Sequence, residues 1–185
     1  MHHSNTLELT QAALAIIDMQ EAFRLQIEDF DQMSARIATM AKAATLLNIP
    51  IIVTEQYPKG LRHTASMIKE ALPQDIEIIE KTAFSSCGAQ AFCNELESKR
   101  VKQVLVCGIE AHICVNQTVH DLLASGYQVH LLTDCIGSRK KADRIAGLAK
   151  MQMSGAIPSS VEMALFEMMR DAKHEQFKAI QGLVK

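Results

Sequence analysis

Two rhythms of apolar residues alternate along this chain. Short unbroken runs recur at 12–17 (AALAII), 51–54 (IIVT), 76–79 (IEII), 104–107 (VLVC), 128–133 (QVHLLT) and 156–157. Aliphatic runs of that length, closing at a polar residue or a glycine, predict strands buried on both faces. Between them the spacing turns helical. Met33, Ile37, Met40, Ala44 and Leu47 mark a helix over 31–47, closed by Asn48 and Pro50. Further helices are predicted over 64–72, 88–98, 114–125 (stopped by Gly126) and 142–153. Ser159 or Ser160 caps one that holds Val161, Leu165 and Met168, and 174–183 forms the last amphipathic turns. The segment 55–63, with Pro58 and Gly60, reads as a long polar loop.

Strand and helix in strict alternation specify an α/β fold, a parallel sheet covered on both faces with right-handed crossovers. Ligands in such sheets bind beyond the carboxyl ends of the strands, where strand order reverses. Asp18 follows the first strand, Lys81 the third, and Cys114 the fourth, so all three are delivered to one rim. Cys114 also opens a helix, and a thiol at a helix N-terminus is favoured as thiolate.

These residue types suit nucleophilic catalysis. A carboxylate can take the thiol proton, an ammonium can hold that carboxylate, and backbone N–H groups of the 109–114 turn can receive an oxyanion. Each residue has a structural reading as well: Asp18 as a turn residue, Lys81 as a surface charge, Cys114 as a small buried hydrophobe. Their convergence on one rim favours the chemical reading.

Composition narrows the field. A chain of 185 residues, 48% of them apolar, fits one domain over 1–185 with a substantial core. A net charge of −2 without a basic run gives no nucleic-acid footprint. No apolar run is long enough for a membrane span, and 1–10 lacks the apolar centre of a secretory signal. The expected location is intracellular, in the cytoplasm, with an organelle as the alternative. Cys87, Cys93, Cys107, Cys114 and Cys135 include no C-x-x-C pair, so reduced thiols are expected, without paired-cysteine zinc.

Four stretches carry a resemblance: Asp18-Met-Gln-Glu-Ala-Phe23, Val53-Thr-Glu-Gln-Tyr-Pro-Lys-Gly60, Lys81-Thr-Ala-Phe-Ser85 and Gly108-Ile-Glu-Ala-His-Ile-Cys-Val115. Together with 151–162 they resemble the isochorismatase-like cysteine hydrolases, most of all the branch of isochorismatase domain-containing proteins. The resemblance implies a three-layer α/β/α architecture, a six-stranded parallel Rossmann-like sheet, and a Cys114, Asp18 and Lys81 triad. It also implies a cis peptide bond at Ile109-Glu110, with the backbone N–H groups of Glu110 and Cys114 as oxyanion donors. The implied chemistry is cleavage of a small amide-type substrate through a thioester, by an enzyme that self-associates as a dimer or higher oligomer.

Departures from the family pattern refine this. Thr54-Glu55-Gln56-Tyr57 stands where nicotinamidases carry an Asp-x-His metal motif, so neither a metal nor another cofactor is expected. The nucleophilic cysteine, absent from isochorismate hydrolases, argues against vinyl ether cleavage. Phe23, Tyr57, Phe84, His112 and Ile113 are expected to wall the substrate pocket. The methionine-rich 151–169 is read as core or as an association surface. Two rival readings stay open: a catalytically idle interaction protein that keeps the fold, and a thiol redox sensor pairing Cys114 with Cys107 or Cys135.

Overall fold

The computed structural model describes residues 3–185. Its strands are β1 (Ala12–Ile17), β2 (Ile51–Gln56), β3 (Ile78–Lys81), β4 (Gln103–Ile109), β5 (Gln128–Gly137) and β6 (Ile157–Ser159). The helices are α1 (Phe30–Leu46), α2 (Pro58–Leu61), α3 (Ser66–Lys69), α4 (Gln90–Ser98), α5 (Cys114–Ala124), α6 (Lys141–Met153), α7 (Val161–Met169) and α8 (Phe177–Val184). The strands form one six-stranded sheet in the order β3-β2-β1-β4-β5-β6, with every neighbouring pair parallel.

The alternation within β1 builds the layers. Ala12, Leu14 and Ile16 join a core with α1, α3, α7 and α8, while Ala13, Ala15 and Ile17 join a second core with α4, α5 and α6. Every β1 residue is buried, as the continuous AALAII run requires. Each fully buried Leu or Ile contributes about 1.5–3 kcal/mol. Strand order reverses between β1 and β4, which opens the crevice for a site.

Gly108 lets these two strands close up. It pairs beside Ile17, and a Cβ there would lie 2.0 Å from the Ile17 carbonyl oxygen. Its φ of +118° is also one that side chains rarely allow.

Several boundaries differ from the pattern-based expectation, for physical reasons. β2 runs to Gln56, so Glu55 belongs to the strand and not to a loop. The helix expected over 64–72 shrinks to α3, because Thr64 is held in an antiparallel bridge with Gln20 and bonded to Glu55. β3 begins two residues late, since the Ile76 N–H is turned back to the Pro73 carbonyl. β5 continues past Thr133 to Gly137, its register with β4 jumping between Val106 and Gly108. Arg144 braces that irregular stretch by donating to the Thr133 and Ile136 carbonyls.

Met151, Met168 and Met169 are core residues, whereas Met153 and Met163 are exposed. Among the described residues, no helix is long and apolar enough to cross a membrane.

Candidate active site

Three strand ends meet at the crevice. Asp18 immediately follows β1 with φ +51°, a left-handed conformation that Asp tolerates better than most residues. Its N–H donates to the Thr54 carbonyl, 3.1 Å away, which ties it to the neighbouring strand. Lys81 is the last residue of β3, two strands over. The Lys81 Nζ donates to Asp18 Oδ2 at 2.6 Å, to Gln56 Oε1 at 2.8 Å, and to the Ala83 and Phe84 carbonyls at 3.2 and 3.0 Å. Both side chains of this ion pair are almost completely buried, at 1% and 3% exposure.

The second Asp18 oxygen, Oδ1, accepts from the Thr54 hydroxyl at 2.7 Å. Thr54 in turn lies 3.4 Å from the Ser86 hydroxyl, and the Ser86 N–H donates to Thr118 of α5 at 2.8 Å. This chain of contacts links the carboxylate to the helix that carries Cys114.

Cys114 opens α5, whose N-terminus has no side-chain cap. Among the described residues the backbone N–H groups of Glu110 and Cys114 have no protein acceptor, while that of Ala111 is consumed by Gly137. The Ile109–Glu110 peptide bond is cis. Gly147 of α6 packs against this turn so closely that a Cβ would lie 2.5 Å from the Ala111 carbonyl oxygen.

The electrostatics differ from the helix-end thiolate expected above. Burial, followed by the charge and hydrogen bond of Asp18, pushes the Cys114 thiol up to about 12, with Lys81 pulling the other way. At neutral pH the resting sulfur therefore carries its proton, and Asp18 is the neighbouring group able to receive it.

Asp18, Cys114, Glu110 and Ile109 border one cavity of about 300 Å³. Phe23, Phe84 and Ile113 form part of its wall, joined by Leu61, Gln26, Gln56 and Arg139. Tyr57 and His112 lie elsewhere. Tyr57 takes a left-handed backbone that lays its ring over Gly60, and it borders a neighbouring cavity. His112 turns toward α6, with its ring 3.1 Å from the Ser138 hydroxyl and 3.9 Å from Asp143.

Sequence reasoning missed Gln56, which bridges Lys81 to the Thr82 carbonyl, and Arg139. The available signal was position: both follow or end an apolar strand at the same rim as Asp18 and Lys81.

The redox pairing fails on geometry. Cys107 and Cys135 belong to the core on one face of the sheet and Cys114 to the core on the other. Burial also raises both of those thiols far above the usual range.

Glu55 occupies the metal-motif position named above, but its carboxylate is buried and engaged by Thr64 and His63. Although burial raises its pKa, those hydrogen bonds hold it below the usual carboxylate range.

The whole arrangement has known counterparts. A solved structure named MAR1 ribonuclease from Caenorhabditis elegans superposes with a TM-score of 0.92 at 38% identity, covering 97% of this chain and 92% of that one. The YcaC protein of Escherichia coli, described as an octameric hydrolase of unknown specificity, shares the fold at a TM-score of 0.90 and 19% identity, over 99% and 91% of the chains. Human isochorismatase domain-containing protein 2 is 42% identical over 175 residues, 94% of this chain and 83% of that protein. The family model of the isochorismatase domain matches residues 12–163, and with these likenesses the chain belongs to the isochorismatase family.

Proposed function

We propose that the protein is a cysteine hydrolase that cleaves a small amide-type substrate without a metal. The observation that carries this reading is the buried Asp18–Lys81 ion pair bordering the cavity that holds Cys114. The sulfur attacks the carbonyl carbon as its proton passes to Asp18, whose carboxylate Lys81 and Thr54 hold in place. The carbonyl oxygen becomes an oxyanion facing the unpaired N–H groups of Glu110 and Cys114. Asp18 then returns its proton to the departing nitrogen, the C–N bond breaks, and a thioester remains on Cys114. Water attacks the thioester with Asp18 again as base, releasing a carboxylic acid and the free thiol.

The test is a panel of small amides, ureas and esters with wild type and Cys114→Ala, read by product formation and by intact mass. Turnover that disappears in the variant, with an acyl adduct trapped on the wild-type chain, is the expected result. Absence of any turnover across the panel would leave the idle interaction protein as the better account. Because the C. elegans protein is named a ribonuclease, an oligoribonucleotide belongs in the panel. Its cleavage, with the amides untouched, would replace this reading. Self-association is part of the same proposal, supported by the octameric YcaC and by the exposed Ile145, Met153 and Met163, and light scattering measures it.

A further inference from the structure

Most side-chain donors around the cavity are already committed within the protein. Lys81 spends its ammonium on Asp18, Gln56 and two carbonyls. The Gln56 amide donates to Thr82, and that of Gln26 donates to the Ala22 carbonyl. Arg139 is the exception. Its Nε donates to Glu110 Oε1 at 3.0 Å, but among the described residues neither terminal nitrogen has a protein acceptor. Most of the five guanidinium N–H donors are thus left for a ligand.

Glu110 has a second role in this arrangement. It is 5% exposed, and the same Oε1 also accepts from the Arg139 backbone N–H at 3.0 Å. The backbone bond alone fastens the end of β5 to the 109–110 turn, so the side-chain bond is not needed as a tether. What the side-chain bond does is hold the guanidinium plane in one orientation at the cavity wall.

We propose that Arg139 anchors a carboxylate of the substrate, so that the ligand class is a small amide-type molecule bearing a free carboxylate group. The reacting carbonyl sits at Cys114, and the apolar middle lies against Phe23, Phe84 and Ile113. This rests on the cavity being the substrate site. A planar fork matches a carboxylate with two parallel charge-assisted bonds, which no neutral amide can reproduce. The apolar wall strengthens those bonds by excluding water. Glu110 and the exposed Asp143 offset part of the Arg139 charge, so the preference comes from geometry together with charge.

The experiment measures binding alone, by ligand-observed NMR at low salt, with butyrate, valerate and hexanoate against their carboxamides. Wild type is expected to bind the carboxylates about tenfold or more tightly than the amides. In Arg139→Gln that discrimination disappears. Arg139→Lys, which keeps the charge and loses the fork, retains only part of it. Alkylation of Cys114 with iodoacetamide fills the cavity and abolishes binding of both series. Equal binding of acids and amides by wild type, discrimination that persists in Arg139→Gln, binding that survives alkylation, or no binding at all would each overturn the proposal. Since no turnover is required, a protein that proves catalytically idle can still pass or fail here.

Discussion

Removing the Lys81 ammonium is the most direct way to probe the buried charge at the site. In Lys81→Met the side chain keeps its approximate length and apolar stem, and Asp18, 3% exposed at its side chain, loses its counter-ion. Breaking a buried pair by deleting one partner costs about 3–5 kcal/mol, because an uncompensated charge stays behind. At these exposures solvent offers little screening, so no discount applies. Gln56 Oε1 and the Ala83 and Phe84 carbonyls also lose their donor, at up to about 1 kcal/mol each where water cannot reach them. The expected loss is therefore about 5 kcal/mol, a large part of the roughly 5–15 kcal/mol that keeps a domain folded. Urea unfolding of Lys81→Met, Asp18→Asn and the double variant gives the full cycle. The double variant should be more stable than Lys81→Met, since it carries no stranded charge, while remaining inactive. A cost under about 1 kcal/mol for Lys81→Met, or strictly additive single costs, would refute the claim that the pair is dry and mutually dependent.

The other predictions concern proton transfer, chain geometry and acid stability. Asp18→Asn removes the carboxylate that raises the Cys114 thiol, so iodoacetamide should label Cys114 at pH 8 about tenfold faster, one pKa unit's worth, while amide turnover falls by about a hundredfold or more. Slower labelling in that variant would contradict the stated electrostatics. Gly108→Ala should cost more than about 3 kcal/mol in thermal or urea unfolding, since its Cβ meets the Ile17 carbonyl and the backbone is left-handed. Burial holds the His130 imidazole down to about 4, so the folded state refuses a proton that the unfolded chain accepts near 6.5. Stability is then lost as pH falls from about 6.5 to 4, by at most about 3 kcal/mol, and His130→Leu should flatten that part of the urea-midpoint profile.

How much could be read from the chain depends on what each element asks of its residues. β1 and β4 announce themselves because burial on both faces permits almost no polar residue, and AALAII and VLVC meet that demand. Asp18, Lys81 and Cys114 could be placed on one rim because a parallel sheet points all its carboxyl ends the same way. Arg139 escaped because the irregular end of β5 carries it there, and a Gly-Ser-Arg-Lys-Lys stretch looks like any solvated loop. Tyr57 was misplaced because its left-handed backbone, which no hydropathy pattern encodes, swings the ring away. The raised Cys114 thiol was equally illegible, since desolvation and the approach of Asp18 exist only once distant strands have paired.

β1 is the first strand to be synthesised and ends up in the middle of the sheet, between β2 and β4. On the ribosome it must wait, aliphatic and with one edge unsatisfied, until a strand much later in the chain emerges to sit beside it. A chain stopped before β4 would present that edge to other copies of itself, and aggregation is the natural outcome. The same order means that no nascent intermediate holds a half-formed reactive centre: Cys114 is added only after its carboxylate and ammonium neighbours, and it takes its place as the sheet closes.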